Sequence, residues 1–234
     1  MEKALNTEDI DKIIEQHELW LGGGDVGKKA NFQGAKMKDI DLRDSDFQSV
    51  DFSEADLRGA TFDRATLKKA NFQGANLEGA SFERTSLSEA LLQRAVLRST
   101  NLWYADLRKA DLTDAILEEA DIQCADLEKA KLWRTNLKRS NLFKANLRGA
   151  DLQSANLKCI NLQDADLREA NLSQCILKEA DLANANVCGA LLKNSDFSGV
   201  NLSGIEIDLD TLARLPASII RLFQDTFRIK GPPD

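Results

Sequence analysis

Few residues of this chain are of types that carry acid–base, redox or metal chemistry. The single histidine, His17, is at helical spacing with nearby apolar residues, so we expect it to pack rather than to catalyse. The cysteines show no paired spacing and are expected to be free thiols in a reducing compartment, not disulfides or a zinc site. They are Cys124, Cys159, Cys175 and Cys188. No glycine-rich phosphate loop or nucleophile elbow is present. The sequence therefore predicts no enzyme activity, no catalytic or cofactor-binding residues and no cofactor.

The elements that position these residues follow from a period of five. Every fifth residue from Phe32 to Leu202 is large and apolar, and of these 35 positions 25 are Leu and 7 are Phe. The residue two places before each of them is small, and 24 of those 35 are Ala. Neither column holds a charge, although 29% of the chain is charged. Positions five apart would drift by about 140° around an α-helix, so the pattern predicts a coil with a short turn in each repeat.

Glycine and proline agree with that coil. All eight glycines from Gly34 to Gly204 occupy the second place after the large residue, where we expect a backbone angle that suits glycine. No proline occurs in the repeats, as expected where nearly every backbone N–H joins a hydrogen-bonded ladder. We also expect the small column's Ser and Thr to bond to backbone groups inside the coil.

The repeats resemble the A(D/N)LXX motif of pentapeptide-repeat proteins. Three copies that show it are Ala55-Asp56-Leu57-Arg58-Gly59, Ala75-Asn76-Leu77-Glu78-Gly79 and Ala145-Asn146-Leu147-Arg148-Gly149. The resemblance covers about three quarters of the chain. It implies an all-β solenoid, a right-handed quadrilateral β-helix of about nine coils with four repeats in each, closed by short α-helical caps. Phenylalanines also recur 20 residues apart, as if their rings stack between coils: Phe32, Phe52 and Phe72, and Phe62 and Phe82.

The flanks are expected to cap the coil, because repeat arrays expose apolar surface and strand edges at their ends. Residues 1–29 form the lead-in, with a helix over residues 7–21 that ends at three glycines. Its predicted apolar face contains Ile10, Ile13, Ile14, His17 and Leu21, with Trp20 beside it. The lead-in is similar to those of many bacterial family members.

Residues 30–209 form the predicted β-helix, and residues 210–234 a C-terminal helical segment broken by Pro216. Its second helix is expected to run to the Gly-Pro-Pro at residues 231–233. The stripe that it carries is Ile219, Ile220, Phe223 and Phe227. Two interpretations stay open, a cap over the last coil and a contact in a homodimer.

Two aspartates, Asp106 and Asp126, would stack on adjacent coils and invite the idea of a bound cation. They belong, however, to the ordinary outward Asp/Asn column of the repeats. The sequence therefore predicts no metal site.

The leading functional hypothesis is a rigid, non-enzymatic scaffold whose outer faces bind a protein partner. Wrapping the variable positions onto four faces gathers Trp103, Tyr104 and Phe143 on one side. Clustered exposed aromatics are typical of interaction surfaces, although isolated surface apolar residues also occur without function. Trp133 falls on the opposite face, and Val96 and Ile116 stack on a third.

The alternative comes from the family: some pentapeptide-repeat proteins imitate DNA, bind type II topoisomerase (gyrase) and so give quinolone resistance. Such mimicry needs a strongly acidic face. The net charge is −7, but the four faces carry only −1, +1, −3 and 0. On the neutral face seven basic residues are cancelled by acidic ones, so no direct nucleic-acid binding is expected. Those basic residues are Lys68, Lys69, Arg108, Lys109, Lys129, Arg148 and Arg168.

Composition also bears on location. Residues 1–11 are acidic and lack the basic start and apolar run of a signal peptide. No stretch approaches the roughly 18 apolar residues of a membrane span. We expect a cytoplasmic protein without a membrane contact.

Overall fold

A computed structural model describes residues 7–23, 27–215, 219–221 and 228–230. Its helices and strands are α1 (Thr7–Leu21), β1 (Glu206–Asp208), α2 (Leu209–Ala213) and β2 (Arg228–Lys230). From Asn31 to β1 the chain forms one continuous coil, in which single-residue bridges alternate with turns.

Parallel bridges join residues that are 20 positions apart, from Asn31 with Asp51 to Asn186 with Glu206. Each side of a coil gives one carbonyl acceptor and two amide donors to the next coil. On one side, for example, Ala170 O accepts from Leu191 N (2.9 Å), and Leu172 N donates to Leu191 O (2.7 Å). The ladder confirms the predicted coil of four five-residue repeats.

The turn in each repeat uses a left-handed backbone conformation. All 35 residues in the second place after the large residue, from Gly34 to Gly204, have φ between +52° and +73°. The expectation for the eight glycines is confirmed, but the other 27 residues there are not glycine, Asp39 and Arg64 among them. Left-handed geometry disfavours such residues by roughly 1–2 kcal/mol each. The inter-coil hydrogen bonds of the turn amides, such as Arg64 N to Glu83 O (2.9 Å), oppose that strain.

Stacked side chains fill the interior. All 35 large residues are buried, and the small column is buried except at Ile40, Ser45, Ser195 and Val200, near the two ends. The expected phenylalanine stacks are present, with ring centroids 5.1, 4.9 and 5.0 Å apart for Phe32–Phe52, Phe52–Phe72 and Phe62–Phe82.

Inward hydroxyl groups bond to backbone carbonyls, as predicted. Thr85 Oγ1 donates to Phe62 O (2.6 Å) and Ser140 Oγ to Leu137 O (2.7 Å). The inward thiol of Cys175 makes the equivalent contact with Leu152 O (3.0 Å). Burial raises the pKa of Cys175 to about 12, which keeps this thiol protonated and unreactive. All four cysteines are free thiols.

Helix α1 lies against the first coils and has the predicted bounds. Ile10 and His17 are buried, and Ile13 and Ile14 pack partly against the core. The prediction for Leu21 is wrong, because this side chain lies at the end of α1 and is 41% exposed. The helix ends at Gly22, whose N–H donates to Glu18 O (3.1 Å).

At the other end, β2 pairs in parallel with β1, Ile229 lying opposite Ile207. The predicted helix running to residue 230 is therefore wrong at residues 228–230, because this segment pairs with the free edge of the last coil. Residues 219–221 are helical, and Ile219 and Ile220 pack partly against the core. Phe223 and Phe227 of the predicted stripe lie outside the described residues.

Candidate interaction surface

Trp103 and Tyr104 occupy one turn and touch each other. Their ring centroids are 4.8 Å apart, and the side chains are 36% and 50% exposed. Trp103 N donates to Asn101 Oδ1 (3.0 Å), and Tyr104 N donates to Gln123 O on the next coil (3.1 Å). Both rings therefore project from a hydrogen-bonded turn whose backbone is held by the adjacent coil.

Polar groups surround this aromatic pair. The guanidinium carbon of Arg84 lies 5.7 Å from the Trp103 ring centroid and 5.9 Å from that of Tyr104, within cation–π range. The neighbouring Cys124 thiol raises the pKa of Tyr104 further above neutral pH. Trp103, Tyr104 and Arg84 together thus present two apolar rings, a hydroxyl group and a cation within one small area.

Phe143 is on the same face but is not part of this contact. It is half-buried, and Lys144 Nζ lies 4.9 Å from its ring centroid. On the coil between Trp103 and Phe143, Gln123 donates from its side-chain amide to Asp121 (2.9 Å). The predicted trio is therefore a contacting pair plus a separate ring, which lies two coils away as the 20-residue spacing predicts, with a polar residue between them.

Trp133 has a different environment. It is 38% exposed, and the guanidinium carbon of Arg134 lies only 3.7 Å from its ring centroid. Arg134 is itself held by both carboxylate oxygens of Asp114. One face of Trp133 is thus covered by an anchored side chain, which makes this residue a useful comparison for Trp103.

Other outward apolar residues replace the usual Asp or Asn. Val96 and Ile116 pair on adjacent coils, as predicted, and both are half-buried. Leu91, Ile176 and Leu191 are 42–46% exposed, and sequence reasoning did not single them out. The signal that could have found them is the same substitution in the outward column.

The carboxylates of Asp106 and Asp126 share one guanidinium. Arg108 donates to both oxygens of Asp106 (2.8 and 2.7 Å), and its Nε lies 3.7 Å from Asp126 Oδ2. Burial alone would raise the pKa of Asp106, but the hydrogen bonds and charge of Arg108 outweigh it and lower this pKa. Across the described residues, no group of three or more possible ligands is placed to hold a metal ion.

Ion pairs also neutralise the face that carries the seven basic residues. Lys69 pairs with Glu89 (3.5 Å), Arg148 with Glu169 (2.8 Å) and Arg168 with Asp166. The charge cancellation expected from the sequence is therefore local, and this face lacks a continuous cationic track.

The parallel ladder, the five-residue turns and the stacked Leu/Phe core define a solenoid built from pentapeptides. A sequence model described as pentapeptide repeats matches eight copies within residues 28–206. The chain therefore belongs to the pentapeptide-repeat family.

Solved structures of pentapeptide-repeat proteins are similar to this chain. HetL, involved in heterocyst differentiation regulation in the cyanobacterium Nostoc sp. strain PCC 7120, is 27% identical with a TM-score of 0.50, covering 86% of this chain and 96% of HetL. Trypsin-treated QnrB1, a plasmid-mediated fluoroquinolone resistance protein, is 20% identical with a TM-score of 0.44, covering 87% and 95%. A protein of the Arabidopsis thaliana thylakoid lumen is 28% identical with a TM-score of 0.41, covering 44% and 70%. No curated protein sequence matches this chain significantly.

Within the described part of the chain, none of the helices has the length and apolar character needed to cross a membrane.

Proposed function

We propose that this protein is a non-enzymatic, rigid scaffold that binds another protein through a surface formed by Trp103, Tyr104 and Phe143. The observation that carries the proposal is the Trp103–Tyr104 pair, with ring centroids 4.8 Å apart and roughly a third to a half of each side chain exposed. Aromatic residues dominate the energetics of protein interfaces because they bury a large area while losing little conformational entropy. The ladder beneath them supports a preorganised contact surface.

The proposal includes the shape of the coil, its caps and its cellular location. The coil is right-handed and four-sided with about nine turns, as the family resemblance implies. Helix α1 caps its first coil, and α2 with the helical residues 219–221 caps its last. The protein acts in the cytoplasm, where its four thiols stay reduced.

A capture experiment with matched variants tests the interaction surface. Immobilised full-length protein is incubated with lysate of its own cells, and captured proteins are compared between wild type, Trp103→Ala with Phe143→Ala, and Trp133→Ala. The proposal expects a partner that the wild type and the Trp133 variant retain and the double variant loses. All three proteins should unfold at the same temperature, because these substitutions lie outside the core. Equal capture by all three would remove the surface from consideration.

We propose a second contact, through which two copies of the chain form a homodimer. It is made by the C-terminal stripe, which also covers the last coil and consists of Ile219, Ile220, Phe223 and Phe227. The half-buried state of Ile219 and Ile220 supports this, because a stripe engaged only in capping is expected to be more fully buried. Sedimentation of wild type and an Ile220→Asp variant tests it. A monomeric wild type at micromolar concentration would contradict the dimer.

The alternative function, DNA mimicry toward type II topoisomerase, rests on the family resemblance alone. The outer charges oppose it, because acidic residues such as Asp44, Asp114 and Glu118 are paired with Arg64, Arg134 and Lys138. A mimic of the phosphate backbone needs unpaired negative charge along one face. A gyrase supercoiling assay with purified protein tests this directly, and potent inhibition would promote the alternative over the scaffold.

A further inference from the structure

The side of the last coil at residues 190–194 has no neighbouring backbone among the residues that the structure describes. On the coil below, Leu172 N donates to Leu191 O (2.7 Å) and Gln174 N donates to Lys193 O (2.9 Å). One coil further, the equivalent donors are the N–H groups of Leu192 and Asn194, and neither has a hydrogen-bond partner among the residues that the structure describes. These two amides are a free strand edge.

The missing partner is a consequence of where the chain turns. In the regular ladder Thr211 would lie opposite Leu191 and donate its N–H to Ala190 O. Instead the chain enters α2 at Leu209, and Thr211 N donates to Asp208 Oδ1 (2.7 Å). The Ala190 carbonyl is thereby left without the backbone donor that the same position has on the coils below, from Val50 O to Ala170 O. The edge thus has one free acceptor, the Ala190 carbonyl, and two free donors, the Leu192 and Asn194 amides. These are the groups through which each side of a coil pairs with the next coil.

A groove of about 500 Å³ lies in front of this edge. Its apolar lining includes Leu192, Leu215 and Leu191, the last of which is 46% exposed. Lys193 and Arg214 also line it, and no carboxylate is among its described lining residues. Neither cation forms an ion pair with the described part of the chain, unlike Arg134 or Arg168 on the coils below. A groove with unpaired cations in a chain of net charge −7 is complementary to an acidic ligand.

We propose that this groove binds an extended, acidic segment of a partner protein, which adds to the open edge as a short parallel strand. The first residue of that segment donates its N–H to Ala190 O and accepts from Leu192 N through its carbonyl. The carbonyl two residues later accepts from Asn194 N, which completes the ladder pattern. Side chains alternate along a strand, so an apolar residue packs on Leu192 while acidic neighbours lie near Lys193 and Arg214. The groove is distinct from Trp103 and Tyr104, and this inference does not rest on the proposed function.

Binding of four labelled heptapeptides to the full-length protein tests the ladder and the charge separately. Fluorescence anisotropy measures the binding of each peptide. The acidic peptide alternates Asp with Val, and the basic peptide alternates Lys with Val. The other two are forms of the acidic peptide, one N-methylated at its valines and one at its aspartates. The acidic peptide should bind saturably. The basic peptide and at least one N-methylated form should bind roughly tenfold more weakly or worse, because the first repels the cations and the second lacks a needed N–H. Equal affinity for all the peptides would overturn the proposal.

Charge-reversal variants locate the site. Lys193→Glu with Arg214→Glu should weaken binding of the acidic peptide roughly tenfold. The control, Arg94→Glu with Lys109→Glu, makes the same change of net charge at two exposed residues far from the groove and should leave binding unchanged. Hydrogen exchange should show protection of the Leu192 and Asn194 amides only when the peptide is bound. Equal weakening by both variants, or unaltered exchange at these amides, would contradict the site.

Two further outcomes would assign the groove to another occupant. If Lys193→Glu with Arg214→Glu dissociates a dimer of the protein, the occupant is a second copy of this chain. If deletion of residues 231–234 raises the affinity for the acidic peptide roughly tenfold, the occupant is the chain's own end. Either result would overturn the assignment to a partner protein.

Discussion

The two ends of the coil are closed by different means. At the N-terminal end His17 is 1% exposed, stacks between Trp20 and Phe47, and hydrogen-bonds to the backbone of two repeat residues. At the C-terminal end the chain leaves through α2, and the side at residues 190–194 is unpaired within the described structure. The buried large residues reflect this, because Leu192 and Leu202 are 6% exposed whereas those in the middle are fully buried. This repeat array thus closes one end with packed side chains, whereas at the other end the backbone of residues 190–194 has no partner among the described residues.

Substituting a core ring at the sealed end should have the largest effect. Phe47 contacts the rings of His17, Phe32 and Phe52 at centroid distances of 5.6, 5.9 and 5.6 Å. Phe47→Ala removes these contacts and leaves a cavity, so we expect the free energy of unfolding to fall by about 3–5 kcal/mol. The measurement is urea unfolding followed by circular dichroism.

The matched substitution at the open end is Leu192→Ala. Because Leu192 is close to solvent, we expect a smaller loss, about 2 kcal/mol, at the low end for a buried leucine. An equal or larger loss at Leu192 would show that the two ends are sealed equally well.

A smaller effect is expected where the chain turns away from the ladder. Asp208 Oδ1 accepts from Thr211 N (2.7 Å) and its Oδ2 accepts from Gly189 N (2.6 Å). Asp208→Ala leaves both amides without these acceptors and should destabilise the protein by about 1–2 kcal/mol. Differential scanning calorimetry of the full chain measures the change. The control is Asp210→Ala in the first turn of α2, an exposed residue for which we expect less than about 0.5 kcal/mol.

The sequence predicts the repeating coil well, but it predicts little of the structure at the C-terminal end of the coil. The large column that begins at Phe32 and the small column that begins at Ala30 define the coil. Each of their members has the same kind of residue 20 positions before and after it, so many repeats indicate the same register. Strand β2 was not predictable in this way, since its three residues have no period and are stabilised by pairing with Glu206–Asp208. The groove at residues 190–194 could not be predicted from the sequence for a related reason. It depends on backbone groups that lose their hydrogen-bond partners because the chain turns away at Leu209. The 20-residue period places Phe143 two coils from Trp103 with Gln123 between them, whereas the contact between the rings of Trp103 and Tyr104 does not follow from the spacing.

The two ends should also differ, by a small amount, in how their stability depends on pH. The N–H of Ala30 donates to His17 Nδ1 (3.2 Å), so the ring's own proton is on Nε2, which donates to Asp46 O (2.9 Å). Desolvation lowers the pKa of His17, assisted by the charge of Lys29, and this outweighs the opposing influence of Asp46 and Glu18. The unfolded chain therefore takes up a proton more readily than the folded one.

It follows that His17 stabilises the docked α1 fully above pH about 6.5, and that this contribution is lost as the pH falls below that value. For Asp208 burial would raise the pKa, but hydrogen bonds from the Thr211 and Gly189 amides lower it, so its contribution persists until the pH falls below about 4. Hydrogen exchange at pH 7.5 and pH 5, corrected for intrinsic rates, should show weaker protection of α1 at pH 5 and unchanged protection of α2. In His17→Phe, which keeps an aromatic ring but cannot titrate, the change at α1 should vanish. Loss of protection at both ends, or at α1 in the variant as well, would assign the effect to general acid destabilisation rather than to this histidine.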